Sequence, residues 1–142
     1  MGNELPKWMK IALFCISVLC YITAFFLLII PEIYIEFFDS TLLSYFNSNS
    51  LIALTYYIRA DGIVVLSFGI FSLVAIKVND FEKIKMYLEF AILWVNLAIC
   101  LNIYGIVFPA TTSGMQAMIM NLAIKVAIDV VYLYYYLKQV RA

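Results

Sequence analysis

Histidine is missing from this chain altogether, and cysteine occurs three times, as Cys15, Cys20 and Cys100. Without imidazole and without a cysteine cluster, zinc, copper and haem sites lose their commonest ligands, and a Ser-His-Asp triad loses its base. The cysteines are odd in number, lie inside apolar runs and form no CxxC pair, so neither a disulfide framework nor a thiol redox motif is indicated. Each reads as a small buried hydrophobe. Charge is scarce too: 13% of residues are charged, where soluble domains carry about 25%. The net charge is zero and the basic residues form no stripe, which leaves no electrostatic footprint for nucleic acid. No cofactor or metal is implied, and the lack of a nucleophile motif argues against an enzyme.

What the chain has instead is apolar length. Hydrophobic residues make up 66% of it, far more than a water-soluble fold of 142 residues can hide. A helix crossing a hydrocarbon core of about 30 Å needs about 20 mainly apolar residues. Four stretches qualify, at residues 11–30, 51–76, 86–108 and 115–137. Lys7 and Lys10 ahead of the first resemble the start of a secretory signal, but the run is longer than a signal core and no small-x-small cleavage site follows, so it reads as a retained span. Pro31 and Pro109 each stand just past a span, where a residue without an amide hydrogen ends a helix.

Charge sets an orientation. Lys7, Lys10, Lys77, Lys83, Lys85, Lys138 and Arg141 all fall at one end of the four spans, while residues 31–50 and 109–114 contain no Lys or Arg. The positive-inside rule therefore places both termini in the cytoplasm. Trp8 and the Tyr134, Tyr135, Tyr136 cluster suit an aromatic belt at that face. Short connections favour neighbouring spans that run in opposite directions, so the expected fold is a single all-α domain, an integral membrane antiparallel four-helix bundle of the cell membrane. In the first outer loop Ile33, Phe37, Phe38, Leu42, Leu43 and Phe46 are interleaved with Glu32, Glu36, Asp39 and Ser40. This is the pattern of an amphipathic helix lying on the outer surface, with Asp39 or Ser40 as a cap; an irregular loop dipping its aromatic side chains is the alternative.

The informative residues are those that are expensive in lipid. Arg59, Asp61, Glu89, Lys125 and Asp129 are ionisable and lie inside the nominal spans. Each costs about 2.5–3.5 kcal/mol at a helix centre unless it meets a partner or a watery cavity. On the fourth span Asn121, Lys125 and Asp129 are four residues apart and Tyr132 and Tyr136 continue the series, so all share one face, which must point into the bundle. Lys125 and Asp129 are spaced to pair within the helix. Arg59 and Asp61 are about 200° apart around the second span and cannot look the same way. Asp61 with Lys125, or Arg59 with Asp129, would pair across helices, and Asn102 with Asn121 would complete a network in the outer half. Alternatively Arg59 snorkels to the outer surface. Glu89 is within reach of Lys83 or Lys85, and Asn96, seven residues on, extends its face into a polar lane from the cytoplasm. Gly62, Ser67 and Gly69 allow a neighbouring helix to approach the second span closely.

A first span closed by Pro31, an acidic amphipathic loop, and Arg59 with Gly62 and Gly69 on the second span together resemble the DoxX-like and BphX-like small four-helix membrane families. The resemblance implies the four-helix architecture and transfers no catalytic residue. Two functions fit the sequence. In the first the protein is a non-enzymatic structural or interaction component of the membrane, packing with itself or within a larger complex, and its buried charges fix helix register. In the second it binds or carries a small anionic or lipophilic ligand between the helices, with Lys125 or Arg59 on an anionic group. A cavity opening beside Lys125 would favour the second; a bundle with every charge paired would favour the first.

Overall fold

The computed structural model describes residues 4–38, 42–45, 47–107 and 114–141. Within them the chain is helical: α1 (Lys7–Ile29), α2 (Pro31–Phe38), a 3-10 turn at Leu42–Tyr45, α3 (Ser48–Val78), α4 (Phe81–Val107) and α5 (Gly114–Val140). Four of these are long and apolar enough to cross a membrane. Helix boundaries follow local chemistry. At the start of α3 the Asn47 side chain accepts from the Ser50 amide at 2.8 Å, satisfying a donor that the first turn leaves orphaned. Its other end is closed by Asn79 in the left-handed conformation at φ 53°, a position Asn tolerates better than most residues. Pro31 opens α2 at its first position, where a missing N–H costs nothing. Pro109, Asp39 and Ser40 lie outside the described residues.

The helices outrun the apolar stretches, because backbone hydrogen bonding does not stop where side chains turn polar. α3 begins three residues before the expected span, and α4 begins at Phe81, five before it, taking in the charged segment Glu82, Lys83 and Lys85. There Asp80 Oδ1 accepts from the Glu82 amide at 3.1 Å. At 1.5 Å per residue the 31 residues of α3 measure about 46 Å, well beyond a hydrocarbon core of about 30 Å.

α1 packs chiefly on α3, and α4 chiefly on α5. The first contact depends on small residues. Thr55, Gly62 and Gly69 of α3 are all buried and recur every seven residues, two turns apart on one face. A Cβ at Gly62 would sit 2.9 Å from Leu27 Cβ, and one at Gly69 3.1 Å from Cys20 Cβ. That closeness lets the buried Ser17 hydroxyl donate to the Gly69 carbonyl at 2.9 Å. Ser67 takes no part in it; its hydroxyl donates back to the Ile63 carbonyl.

All four long helices share one apolar core, and it lies at the lysine-bearing end. Met9, Leu13 and Ile16 of α1 meet Ala75 of α3, Ile84, Leu88 and Ala91 of α4, and Tyr132 and Tyr135 of α5. The backbone amide of Leu5 donates to Asn79 Oδ1 at 3.1 Å, which ties the N-terminal segment to the α3–α4 turn. After Ala91 no residue of α4 is fully buried. Large apolar side chains such as Met86, 80% exposed, therefore cover the outside. That surface suits hydrocarbon, where an exposed apolar side chain carries no hydrophobic penalty. The cysteines follow the same logic. All are free, but only Cys20 is half-buried, while Cys15 and Cys100 lie on the outside and are not the buried residues expected.

The tyrosine cluster is likewise not a simple belt. Tyr134 is exposed, with Lys138 Nζ 5.9 Å from its ring centre. Tyr135 is fully buried, edge-on to Trp8 and Phe81, and Tyr136 turns to α4. Successive helical residues are about 100° apart, so three in a row must face three ways.

Candidate functional site

The polar stripe of α5 meets a matching stripe of α4, and the two form a ladder. At the lysine-bearing end the Tyr136 hydroxyl donates to Glu89 Oε1 at 2.6 Å. The Tyr132 and Tyr87 hydroxyls lie 3.1 Å apart, and Tyr87 is joined to Ser72 of α3 at 2.8 Å. Next, Asn96 Nδ2 donates to Asp129 Oδ1 at 2.9 Å and also to its own helix at the Ile92 carbonyl. Farthest along, Asn102 Oδ1 accepts from Lys125 Nζ at 3.3 Å while its amide donates to Asn121 Oδ1 at 3.2 Å. Apart from the Tyr87–Tyr132 pair, residue numbers rise on α4 as they fall on α5. From Glu89 to Asn102 is 13 residues, about 20 Å at 1.5 Å each, so the rungs cover most of a hydrocarbon thickness.

Every expensive group in this ladder is satisfied by a neutral partner, not by an opposite charge. The expected pairing of Lys125 with Asp129 inside α5 does not form; each takes an asparagine of α4 instead. Glu89 takes Tyr136 and not Lys83 or Lys85, because Lys83 turns back to Asp80 at 3.5 Å. That is the one ion pair within 4.0 Å among the described residues. The geometry explains the preference: an asparagine on the facing helix both donates and accepts, so one residue serves Lys125 and Asn121 together. Asp129 is only 7% exposed, which makes Asn96, its one donor among the described residues, consequential.

Asp61 and Lys125 are near enough for their charges to act on each other, without contact inside 4.0 Å. Asp61 acts in the same way on Tyr34 of α2, which lies against both α3 and α5. Burial first, and the Asp61 charge second, push the Tyr34 phenol up to about 12, so it remains protonated at neutral pH. The Asp61, Lys125, Asn102 and Asn121 side chains thus gather toward the α2 end of the helices. Arg59 does not join them. It is exposed on α3 beside the exposed Tyr56 and Tyr57, with neither Asp129 nor any other described residue as an ion-pair partner.

Ser17, Ser72 and Tyr87 also bond across helices, although none of them lies on the polar stripe of α5. Tyr132 on the α5 stripe was the available signal for Tyr87, since a buried phenol needs a partner. Nothing in the local sequence singles out Ser17.

A separate cleft of about 640 Å³ lies between α3 and α4, lined by Val64, Phe68, Phe71 and Val74 on one side and Tyr87 and Phe90 on the other, with Lys83 at one end. Phe68 stacks on Phe90 at 5.8 Å and Phe71 on Tyr87 at 6.0 Å. Lys125 and Arg59 do not line it. Among the described residues no three thiol or carboxylate side chains converge as a metal site would require. No family model, no curated protein and no solved structure matches the chain.

Proposed function

We propose that the protein is a non-enzymatic, multi-pass component of the cell membrane, an antiparallel four-helix bundle with both termini in the cytoplasm, whose intramembrane polar residues hold its helices in register. The α4–α5 ladder carries the reading. Polar groups that lipid makes expensive are spent on one another, rung by rung, which leaves Glu89, Asn96, Asn102, Asn121, Lys125 and Asp129 little capacity for chemistry. The end that carries seven of the nine basic residues is the cytoplasmic one on the positive-inside rule. Counting back from that end, Arg59 stands about 26 Å above Ile76 on α3, about 4 Å short of the outer edge of a hydrocarbon core of about 30 Å, from where its guanidinium snorkels to the outer headgroups beside Tyr56 and Tyr57. The DoxX-like and BphX-like resemblance of Pro31, Arg59, Gly62 and Gly69 supports the same architecture. Association with a second copy or a larger membrane complex belongs to this reading.

Lys125→Met tests it. Thermal stability in detergent should fall, because Asn102 loses its cation and Asp61 the positive charge that acts on it. If stability stays intact and a co-purifying ligand is lost, Lys125 is a binding residue and the structural reading fails. A second reading, that the protein holds a lipophilic molecule, is favoured by one observation, the apolar cleft between α3 and α4.

A further inference from the structure

We infer that the α3–α4 cleft is a retained-lipid site, holding one acyl chain of an anionic phospholipid of the cytoplasmic leaflet with its phosphate at Lys83. Its volume, about 640 Å³, falls within the roughly 300–1,000 Å³ of ligand pockets. Its walls offer no free hydrogen-bonding group along their length. The Ser67 hydroxyl is turned back to the Ile63 carbonyl at 2.9 Å. The Tyr87 hydroxyl points inward to Ser72 and Tyr132, so only its ring, stacked with Phe71, faces the cleft. An occupant with polar atoms in its body would leave them unpaired; an aliphatic chain loses nothing there.

The one polar group in the lining with capacity to spare is at an end. Lys83 is 72% exposed, and its contact with Asp80 at 3.5 Å is a loose surface pair that engages one of three donors. A cation at one mouth of an apolar slot matches the chemistry of a lipid with a phosphate head. Length agrees with a single leaflet. From Val78 beside that mouth to Val64 at the far end is 14 residues, about 21 Å, the same as the roughly 20–22 Å of one leaflet counted with its headgroup region. The headgroup thus lies at the membrane surface and the chain ends near the midplane. The leaflet assignment rests on the orientation proposed above; occupancy of the cleft does not, and thiol labelling of the loops tests the orientation separately.

The test is native mass spectrometry of protein purified in mild detergent, followed by delipidation and titration with phosphatidylglycerol or phosphatidylcholine. The native protein should retain one anionic phospholipid. Val74→Trp, which fills the cleft from an exposed position, should lose it, whereas Leu73→Trp, off the cleft on the same helix, should keep it. Equal thermal stability of the two variants in lipid-free detergent establishes that both fold. Lys83→Gln should cut the preference for phosphatidylglycerol about fivefold, the equivalent of about 1 kcal/mol per surface lysine. Retention of no lipid, retention of a neutral lipophile in its place, or equal retention by Val74→Trp would overturn the proposal.

Discussion

The Asn96–Asp129 rung gives the sharpest energetic test of the ladder. Asp129 is 7% exposed and accepts from Asn96 Nδ2 at 2.9 Å; Asn96 itself is exposed and keeps a second acceptor in the Ile92 carbonyl. Asn96→Leu therefore strands a buried carboxylate, while Asp129→Leu strands nothing, since the amide retains Ile92. A hydrogen bond to a charged group is worth about 1.5–3 kcal/mol in water-soluble proteins, but interhelical bonds within membranes average about 0.6 and reach about 1.7 kcal/mol. The membrane range governs here, and the charged acceptor places this rung at its upper end. Asn96→Leu should cost about 1.5 kcal/mol, Asp129→Leu well under 1 kcal/mol, and the double variant less than Asn96→Leu alone, a coupling of about 1 kcal/mol. Reversible unfolding in mixed micelles, followed by the fluorescence of Trp8 and Trp94, measures all four states of the cycle. Single costs that add to within about 0.3 kcal/mol in the double variant would show that the two residues are not partners.

Other parts of the fold carry their own expectations. Gly62→Val places side-chain carbons where Leu27 Cβ and Leu28 Cγ already lie 2.9 Å from an ideal Cβ, so overpacking should lower stability by about 1–3 kcal/mol, while Gly105→Ala, which meets only the flexible Met118 thioether at 3.1 Å, should change it far less. A melting curve showing the reverse order would remove Gly62 as the point of closest approach. The Tyr135 hydroxyl is buried with no partner among the described residues, whereas that of Tyr132 is bonded to Tyr87. Tyr135→Phe should therefore raise stability by about 1 kcal/mol and Tyr132→Phe lower it, and an equal loss in both would contradict the hydrogen-bond assignment.

Several features were legible because one physical variable controls them. Four apolar runs of membrane length announce four long helices, and the four-residue spacing of Asn121, Lys125 and Asp129 announces one polar face, whatever that face meets. Partner choice was not legible. Spacing alone favours Lys125 with Asp129, but α4 presents Asn96 as a donor to Asp129 and Asn102 as an acceptor from Lys125, and only the register of α4 against α5 reveals them. Helix ends were misjudged where Glu82, Lys83 and Lys85 continue α4 beyond its apolar run, since hydropathy tracks the solvent and not the backbone. The cysteines were misplaced for a related reason: in a membrane an apolar residue can face outward, so Cys15 and Cys100 need no protein around them. The cleft beside Phe68 and Phe71 depends on side-chain packing between two helices and leaves no pattern in either one.

The orientation decides which end of every helix faces the cytoplasm, and thiol accessibility measures it most directly. In a background with Cys15, Cys20 and Cys100 replaced, single cysteines at Ser44, Ser113 and Asn79 are exposed in intact cells to a membrane-impermeant reagent. The account predicts labelling at Ser44 and Ser113 and none at Asn79 until the cells are opened. Labelling of Asn79 alone in intact cells would contradict it.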